Sequence, residues 1–374
     1  MKSHDTREPR IAIVSSSGDP GHRMIQAGVA QLLTSQNIRG AVSVLDKHLS
    51  WRDGGPEALK DELASKDLIV LAMGPLLWPY AERSAWVDPV LGGAEAAADR
   101  GATVIALSLG SCYPVLDWGS GEGDLTFVRE QELDVLRRVA AVTNGRMTVR
   151  DRFMKRLATK IGVDAPLLPC VATFSTLESE RSNRSRPGQT VLVNYMRAAG
   201  HHDYRNEVDV AAWHRQITDF IELERLKNSR QTRFLCHAPI EHELASLIAP
   251  DLEIERVRGP EDLIRVAPDT TAAVVNRVHA ALGLAGGGVP SICVGTDTRA
   301  LSAREVGAVV LPPAEAPADV LAGWVELLSQ AEAHEEVLTK VHQGAEQHQQ
   351  FIAEIFAKAS VLRDAVSLRQ ESGS

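Results

Sequence analysis

Short apolar runs rich in β-branched residues alternate along this chain with stretches whose apolar residues recur every three to four positions. Residues 11–15 form one such run, Gly18 and Pro20 interrupt it, and residues 22–33 then follow at helical spacing. A run that is apolar throughout predicts a strand buried on both faces, and such strands alternating with helices predict a parallel sheet. The predicted fold class is therefore α/β with doubly wound sheets.

The same alternation continues along the chain, and one polar stretch divides it into two series. Predicted strands cover residues 11–15, 41–45, 68–73, 102–107, 147–149, 190–194, 233–236, 272–275, 291–294 and 308–311. Predicted helices cover residues 22–33, 56–64, 94–100, 130–142, 152–161, 208–226, 240–247 and 278–284. Between the two series, residues 177–188 are rich in Glu, Ser, Arg and Asn and end in Pro187-Gly188, which is typical of a linker.

These patterns predict two Rossmann-like domains that face a cleft. We predict the first domain over residues 1–178, a linker over residues 179–189, the second domain over residues 190–330, and a helical segment over residues 331–374 that packs back across the domains. A length of 374 residues suits two domains of ordinary size. Because doubly wound domains bind ligands at the carboxyl ends of their strands, the site is predicted in the cleft.

The composition excludes several classes of protein. With 40 Lys and Arg against 49 Asp and Glu, the net charge is −9, whereas a nucleic-acid binder needs a basic face. The four cysteines are scattered, which favours buried thiols in a reducing compartment over a zinc site or a disulfide framework. Residues 1–10 carry no signal-peptide pattern, and Arg277 and His279 interrupt the most apolar region, so we expect a cytoplasmic protein without a membrane span.

A glycine-rich turn joins the first predicted strand to the first predicted helix. Gly18-Asp19-Pro20-Gly21-His22 can present backbone N–H groups at a helix N-terminus to an anion. The turn lacks the second and third glycines of a dinucleotide fingerprint. The structural alternative is that Asp19 simply caps the helix.

Cationic side chains and histidines follow four strands of the second predicted domain. They are Arg197 after residues 190–194, His237 after residues 233–236, Arg277 and His279 after residues 272–275, and Arg299 after residues 291–294. Arginine can bind a carboxylate or a phosphate through two parallel hydrogen bonds, and histidine exchanges a proton near neutral pH. Together they predict a pocket for a small anionic ligand. Local pairing of the arginines and burial of neutral histidines are the structural alternatives.

Two further polar groups favour structural roles. Arg150 and Asp151 open a predicted helix, where an early carboxylate is favourable. His201-His202-Asp203 has the right donor types for a metal but no identifiable third ligand, so a polar loop is favoured and no metal site is predicted.

Several segments occur in an order that is shared with a known family. They are Ser17-Gly18-Asp19, the apolar residues 67–74 that end in Gly74, Thr148-Val149-Arg150-Asp151-Arg152, Leu168-Pro169-Cys170, Asn276-Arg277-Val278-His279-Ala280 and Gly288-Val289-Pro290. Across residues 11–311 the chain thereby resembles the polysaccharide pyruvyl transferase family. Asp297-Thr298-Arg299 stands where that family usually has Tyr-Asp-Pro-Lys.

The resemblance implies a GT-B-like pair of domains and an enzyme that moves a pyruvyl group from phosphoenolpyruvate to a sugar hydroxyl. It implies no other cofactor, because phosphoenolpyruvate is the donor substrate. His279 would be the general acid or base. The implied donor-binding residues are Arg277, Arg197, His237 and Arg299, and the implied acceptor-binding residues are Gly18, Asp19, His22 and Gly74.

Two other functions remain open from the sequence. One is a nucleotide-sugar glycosyltransferase or epimerase of the same architecture, although the sequence shows no diagnostic acidic pair for a ribose. The other is a non-catalytic sugar-binding protein, which would tolerate His279→Ala where a catalyst would not. The expected partners are a small-molecule donor and a saccharide or glycoconjugate, and a lipid-linked acceptor would bring the protein to a membrane surface without a span.

Overall fold

A computed structural model describes residues 8–16, 18–47, 55–79, 81, 84–177, 188–200, 208–226 and 230–371, with side chains described as far as residue 357. Most of the predicted linker, residues 179–187, lies outside these ranges. So do Ser17 and the His201-His202-Asp203 group, and the predictions made for them stay predictions.

The first half of the chain forms a six-stranded parallel sheet. In chain order its elements are β1 (Arg10–Ser15), α1 (Pro20–Ser35), β2 (Ala41–Asp46), α2 (Gly55–Ala64), β3 (Leu68–Leu71), β4 (Pro75–Leu77), α3 (Val87–Asp99), β5 (Thr103–Ser111), β6 (Val115–Asp117), β7 (Glu122–Gly123), α4 (Glu130–Val142), β8 (Met147–Val149) and α5 (Arg152–Lys160). The strand order is β2-β1-β3-β5, with β4 and β8 also paired with β5. Strands β6 and β7 form a separate antiparallel hairpin.

The second half forms another six-stranded parallel sheet. Its elements are β9 (Thr190–Asn194), α6 (Val210–Leu226), β10 (Gln231–Cys236), α7 (Pro239–Ile248), β11 (Ile254–Arg256), α8 (Pro260–Val266), β12 (Thr270–Val275), α9 (Val278–Gly286), β13 (Ser291–Val294), α10 (Thr298–Leu301), β14 (Val309–Leu311), α11 (Ala318–Leu328) and α12 (Ala331–Glu371). The strand order is β11-β10-β9-β12-β13-β14, so the order reverses between β9 and β12. Ligands bind doubly wound sheets at such a reversal.

Burial explains why the apolar runs are strands. In β1, Ile11 and Ile13 pack into one buried apolar cluster while Ala12 and Val14 pack into another, so each face of the sheet is covered. The edge strand β2 is different, because Val42 and Val44 are about half exposed. The prediction of strands buried on both faces therefore holds for the central strands and is wrong for this edge.

Aspartates cap three helices that start directly after strands. Asp19 accepts a hydrogen bond from the N–H of Gly21 at 2.7 Å, and Asp151 accepts one from Met154 at 2.7 Å. Asp297 accepts from the N–H of Arg299 at 3.0 Å. An N-cap carboxylate satisfies a backbone N–H that has no partner within the helix. These caps fix where each chain segment turns at the carboxyl end of its sheet.

The two halves are packed against each other through small residues and one long helix. The short helical turn Val171–Thr176 lies between α1 and α9, and a Cβ added at Gly286 of α9 would fall 2.0 Å from the carbonyl oxygen of Thr173. Helix α12 packs back onto the first half, and Nε2 of His348 is hydrogen-bonded to the carbonyl of Pro169 at 2.9 Å. The carboxyl ends of both sheets thus face one cleft.

Several short elements were not predicted from the sequence. They are β4, the hairpin of β6 and β7, β11 and α8, which cover three, three, two, three and seven residues. Among the described residues no helix is both long and apolar enough to cross a membrane.

Candidate active site

A cavity of about 110 Å³ lies in the cleft, between the carboxyl ends of the two sheets. The first half contributes the α1 turn and the end of β8, and the second half contributes the segments after β9, β12 and β13. Its lining includes Asp19, His22, Pro75, Arg150, Asn276, Arg277, His279, Thr296, Asp297 and Arg299. The predicted convergence of strand ends is therefore present, with residues from both halves.

Two asparagines hold the strand ends of the second half in place. The side chain of Asn194 donates to the carbonyl of Leu235 and accepts from the N–H of Arg277, both at 2.9 Å. The side chain of Asn276 donates to the carbonyl of Val294 and accepts from the N–H of Met196, both at 2.8 Å. Because these amides join β9, β10, β12 and β13, the backbone around Arg277 is rigidly positioned.

Arg277 joins the two halves through carboxylates. Its Nη1 lies 3.0 Å from Oδ2 of Asp19, which belongs to the first half, and its Nε is hydrogen-bonded to Glu241 of α7. The Arg277 side chain is 10% exposed and that of Glu241 is 2% exposed. A buried arginine with two carboxylate partners is electrostatically compensated, so a ligand anion must compete with Asp19 for it.

Asp19 is held ionised by its surroundings. Burial alone raises the pKa of its carboxyl, but His279 in its protonated form, Arg277 and the N–H of Gly21 outweigh burial and lower that pKa to about 2. At neutral pH, where His279 is neutral, Arg277 and the Gly21 N–H remain as the stabilising partners. One carboxylate oxygen caps α1 and the other contacts Arg277. Asp19 therefore has both the predicted capping role and a place in the site.

His279 lies in the first turn of α9 and packs tightly against the opposite half. A Cβ added at Gly21 would lie 2.0 Å from Nδ1 of His279, so only glycine allows this approach. The ring centroids of His279 and His22 are 6.1 Å apart. Burial, together with nearby Arg150, lowers the pKa of His279 well below its usual value, so the imidazole is neutral at neutral pH.

Nε2 of His279 is shielded from solvent and has no hydrogen-bond partner in the described part of the chain. A neutral imidazole with such a nitrogen can accept a proton from a bound substrate.

Arg150 is the site residue that sequence reasoning missed. It is fully buried, its Nη1 lies 3.4 Å from Sγ of Cys170, and its Nε and Nη2 have no hydrogen-bond partner among the described residues. A Cβ at Gly110 would fall 2.3 Å from Nε, so the guanidinium lies directly against the backbone of β5. A buried cation with unsatisfied donors is costly unless it binds something. The signal in the sequence was its place at the end of a strand, which we had interpreted as structural.

The neighbouring Asp151 does not take up the donors of Arg150. Its carboxylate accepts from the N–H of Met154 at 2.7 Å and from the N–H and hydroxyl of Ser111, both at 3.0 Å. Burial raises the pKa of Asp151 to about 6. The Ser111 hydroxyl is also hydrogen-bonded to that of Thr298 at 2.8 Å, which links the first half to α10 of the second.

The other predicted donor-binding residues lie in different surroundings. Arg299 lines the cavity, but its Nε and Nη2 contact the two carboxylate oxygens of Asp297 at 2.9 and 2.5 Å. Arg197 is exposed and is not among the residues that line this cavity. His237 lines a separate cavity of about 400 Å³ at the ends of β10 and β11. Its side chain is fully buried, and burial lowers its pKa to about 3.

Of the four predicted acceptor-binding residues, two line the cavity. Asp19 and His22 line the cavity. Gly18 is exposed and does not line it. Gly74 has a φ of +73°, and a Cβ there would lie 3.3 Å from Nε2 of His22, so this glycine supports the histidine. No group of three or more His, Cys, Asp or Glu side chains within the described ranges could hold a metal ion.

Comparisons with known proteins bear on the fold. No family model matches the chain, and no curated protein matches it. Solved structures do match over most of the chain. A UDP-GlcNAc 2-epimerase from Neisseria meningitidis bound to UDP-GlcNAc shares 9% identity at a TM-score of 0.54, covering 93% of this chain and 100% of that one.

Two further structures give the same result. A UDP-N-acetylglucosamine 2-epimerase shares 10% identity at a TM-score of 0.55, with coverage of 95% and 97%. The UDP-GlcNAc 2-epimerase from Methanocaldococcus jannaschii shares 12% identity at a TM-score of 0.50, with coverage of 86% and 92%. These matches establish the fold, and the prediction of two Rossmann-like domains in a GT-B-like arrangement is confirmed.

The same matches correct the predicted reaction. The similar structures are those of nucleotide-sugar enzymes, which contradicts pyruvyl transfer from phosphoenolpyruvate and agrees with the nucleotide-sugar alternative. The predicted donor-binding residues are also not assembled as expected. Arg277 and Arg299, expected to bind the two anionic groups of phosphoenolpyruvate, are each paired with carboxylates, and Arg197 is outside the cavity.

Proposed function

We propose that this protein is an enzyme that binds a sugar nucleotide in the cleft and acts on the sugar, as a glycosyltransferase or an epimerase. The observation that carries the proposal is a cavity lined by the buried Arg150 and the neutral His279, in which Nε and Nη2 of Arg150 have no hydrogen-bond partner among the described residues. The likeness in fold to enzymes solved with UDP-GlcNAc supports the choice of ligand class.

A diphosphate fits the charges of this cavity. Nε and Nη2 of Arg150 offer two donors, and the N-terminal turn of α9 adds its partial positive charge. Asp19 can exchange with a phosphate oxygen at Arg277, because its carboxylate is 36% exposed and Arg277 would keep Glu241 as a partner. The ligand thus satisfies donors that are otherwise buried without partners.

His279 is the group suited to move a proton. Its lowered pKa keeps the imidazole unprotonated at neutral pH, and Nε2 has no hydrogen-bond partner among the described residues. It would act as the general base toward a sugar hydroxyl or a proton on a sugar carbon. His22, whose ring centroid lies 6.1 Å away, belongs to the same cluster.

Calorimetric titration with UDP and UDP-GlcNAc tests this function. We expect binding to the wild type and a loss of at least about tenfold in affinity for Arg150→Lys, which keeps the charge but not the forked donors. Arg152→Lys, at an exposed position two residues away, is the matched control and should bind as the wild type does. If neither ligand binds to folded protein, or if Arg150→Lys binds equally well, the proposal fails.

His279→Ala separates catalysis from binding alone. We expect it to bind UDP while losing turnover of the sugar nucleotide by at least about a hundredfold, the usual contribution of a positioned base. A non-catalytic sugar-binding protein would show no turnover in the wild type and no loss in the variant.

A further inference from the structure

A second cavity lies next to the active-site cavity and has different chemistry. It measures about 240 Å³ and shares Gly295 and Thr296, at the end of β13, with the first cavity. Its other walls come from Trp118 after the β6 strand, from the start of α6, and from Pro312 and Pro313 after β14. A molecule held there would lie next to one bound against Arg150 and His279.

The walls of this second cavity suit an uncharged ring with hydroxyl groups. Trp118, Pro312 and Pro313 present flat apolar surfaces, and Asp209 and Gln216 add hydrogen-bonding groups. Among its described lining residues there is no Lys, Arg or His, whereas Asp209 is acidic. Aromatic faces with a few polar groups are typical of sites that orient a neutral ligand.

The sizes and positions of the cavities indicate different places for a nucleotide and for a neutral ring. A volume of 240 Å³ is below the range of about 300–1,000 Å³ for drug-sized ligands, and therefore suits a single ring better than a nucleotide. The cavity of about 400 Å³ at the ends of β10 and β11 is lined by Arg256 and Arg258 and is the better place for a nucleotide. In the strand order these two cavities lie on opposite sides of β12, which is followed by Arg277 and His279 at the start of α9.

We infer that the cavity walled by Trp118, Pro312 and Pro313 is the acceptor subsite of a transferase, and that it takes a neutral hydroxyl-bearing ring such as a monosaccharide. This inference rests on the proposed function and narrows it, because an epimerase that acts on one bound sugar needs no second ring site. Transfer requires two substrates side by side, and two neighbouring cavities that share Gly295 and Thr296 provide for them.

The transfer step is balanced without a further reactant. The acceptor oxygen forms a bond to the anomeric carbon of the donor sugar, while the bond from that carbon to the diphosphate oxygen breaks and its electron pair leaves with the nucleoside diphosphate. The proton of the acceptor hydroxyl passes to Nε2 of His279. The diphosphate stays on Arg150 and the N-terminal turn of α9 until it is released.

The test uses the full chain and methyl glycosides of glucose, galactose, mannose and N-acetylglucosamine as probes, titrated in the presence and absence of UDP. Trp118→Ala removes the aromatic wall, and Trp118→Phe retains a ring. Leu116→Ala is the matched control, since Leu116 lies in the same hairpin, is 54% exposed and does not line the cavity. Ligand-observed NMR measures glycoside binding, and calorimetry measures UDP binding for every variant.

We expect at least one glycoside to bind, with affinity lowered about tenfold by Trp118→Ala and little changed by Trp118→Phe or Leu116→Ala. UDP affinity should be the same in all four proteins. Glycosides that do not bind while UDP does would overturn the acceptor subsite and leave the proposed function standing. Loss of UDP binding in Trp118→Ala would also overturn the acceptor subsite, because it would show that the nucleoside of UDP binds in this cavity. Glycoside binding that depends on Trp118, in a protein that binds no UDP, would retain the ring site and reject the proposed function.

Discussion

Asp19→Asn is the substitution that most directly tests whether the Asp19 carboxylate occupies the position of a ligand anion at Arg277. Asp19 uses Oδ1 to accept from the N–H of Gly21 at 2.7 Å and Oδ2 to contact Nη1 of Arg277 at 3.0 Å. Asparagine can keep the cap through its carbonyl oxygen, but its amide nitrogen cannot accept from arginine. The substitution therefore removes the negative charge beside Arg277 and leaves the local backbone supported.

We expect Asp19→Asn to change the stability of the fold and the affinity for an anionic ligand in opposite directions. The pKa of Asp19 falls from an ordinary 3.8 to about 2, a shift that corresponds to at most roughly 2 kcal/mol of stability, and the part of it that comes from His279 is absent at pH 7, where His279 is neutral. The side chain is 36% exposed, so solvent screening reduces the expected loss to about 1 kcal/mol. Because the folded pKa is lowered, this stability is present above about pH 4 and disappears as the pH falls through 2.

Ligand affinity should change in the other direction. A carboxylate about 6 Å from an incoming phosphate repels it by about 3 kcal/mol at an effective dielectric constant of 20, and partial exposure reduces this by about half. We therefore expect Asp19→Asn to bind UDP about tenfold more tightly while unfolding more easily.

Calorimetry with UDP and urea unfolding at pH 7 measure both effects. Asp88→Asn is the control, since it removes the same charge from the same half of the chain at a side chain that is 91% exposed and pairs only with Arg138 among the pairs described. It should change neither quantity. Weaker UDP binding in Asp19→Asn would refute the view that Asp19 occupies the anion position at Arg277.

Three further perturbations follow from individual contacts. Gly110→Ala should lower UDP affinity at least about tenfold, because its Cβ would displace the Arg150 guanidinium from a point 2.3 Å away; calorimetry measures it. Gly21→Ala should instead lower turnover with UDP affinity nearly retained, because its Cβ displaces the His279 ring; single-turnover rates beside calorimetry separate the two. His348 has its pKa lowered to about 4 by burial, so this residue alone should cost the wild type up to about 3 kcal/mol of stability as the pH falls from 6.5 to 4, and His348→Gln should lose less than the wild type over that window in urea unfolding.

The parts of the fold that local pattern determines were predictable from the sequence. The bounds of β9, β13 and α4 are those that the apolar periodicity predicts, because these elements are central or strongly amphipathic. β4 and β11 were missed because strands of three residues show no measurable alternation. The exposure of β2 depends on its place at the sheet edge, which no local pattern reports.

The sequence indicated which residue types lie in the candidate site, but not which of these side chains pair with each other. Strand-end positions correctly brought Arg277, His279 and Arg299 to one cavity. That Arg277 contacts Asp19, 258 positions away in the chain, depends on how the two halves meet. A structural role was favoured for Arg150 because Asp151 suits the start of a helix and an arginine beside it can bridge two domains. In the structure Asp151 uses its oxygens on Ser111 and Met154 and leaves two donors of Arg150 without a described partner.

The difference between compensated and uncompensated arginines explains how an acidic chain can hold an anion. Arg277 and Arg299 gain their stability from Asp19, Glu241 and Asp297, so a ligand gains from either only what exchange of a carboxylate allows. Arg150 has no such competitor on Nε and Nη2 within the described chain. Its donors are desolvated when the protein folds, before any ligand arrives, so a phosphate binds there without that cost and with strong hydrogen bonds in a shielded site. Anion affinity in this cleft should therefore depend more on Arg150 than on either arginine that the strand-end pattern singled out.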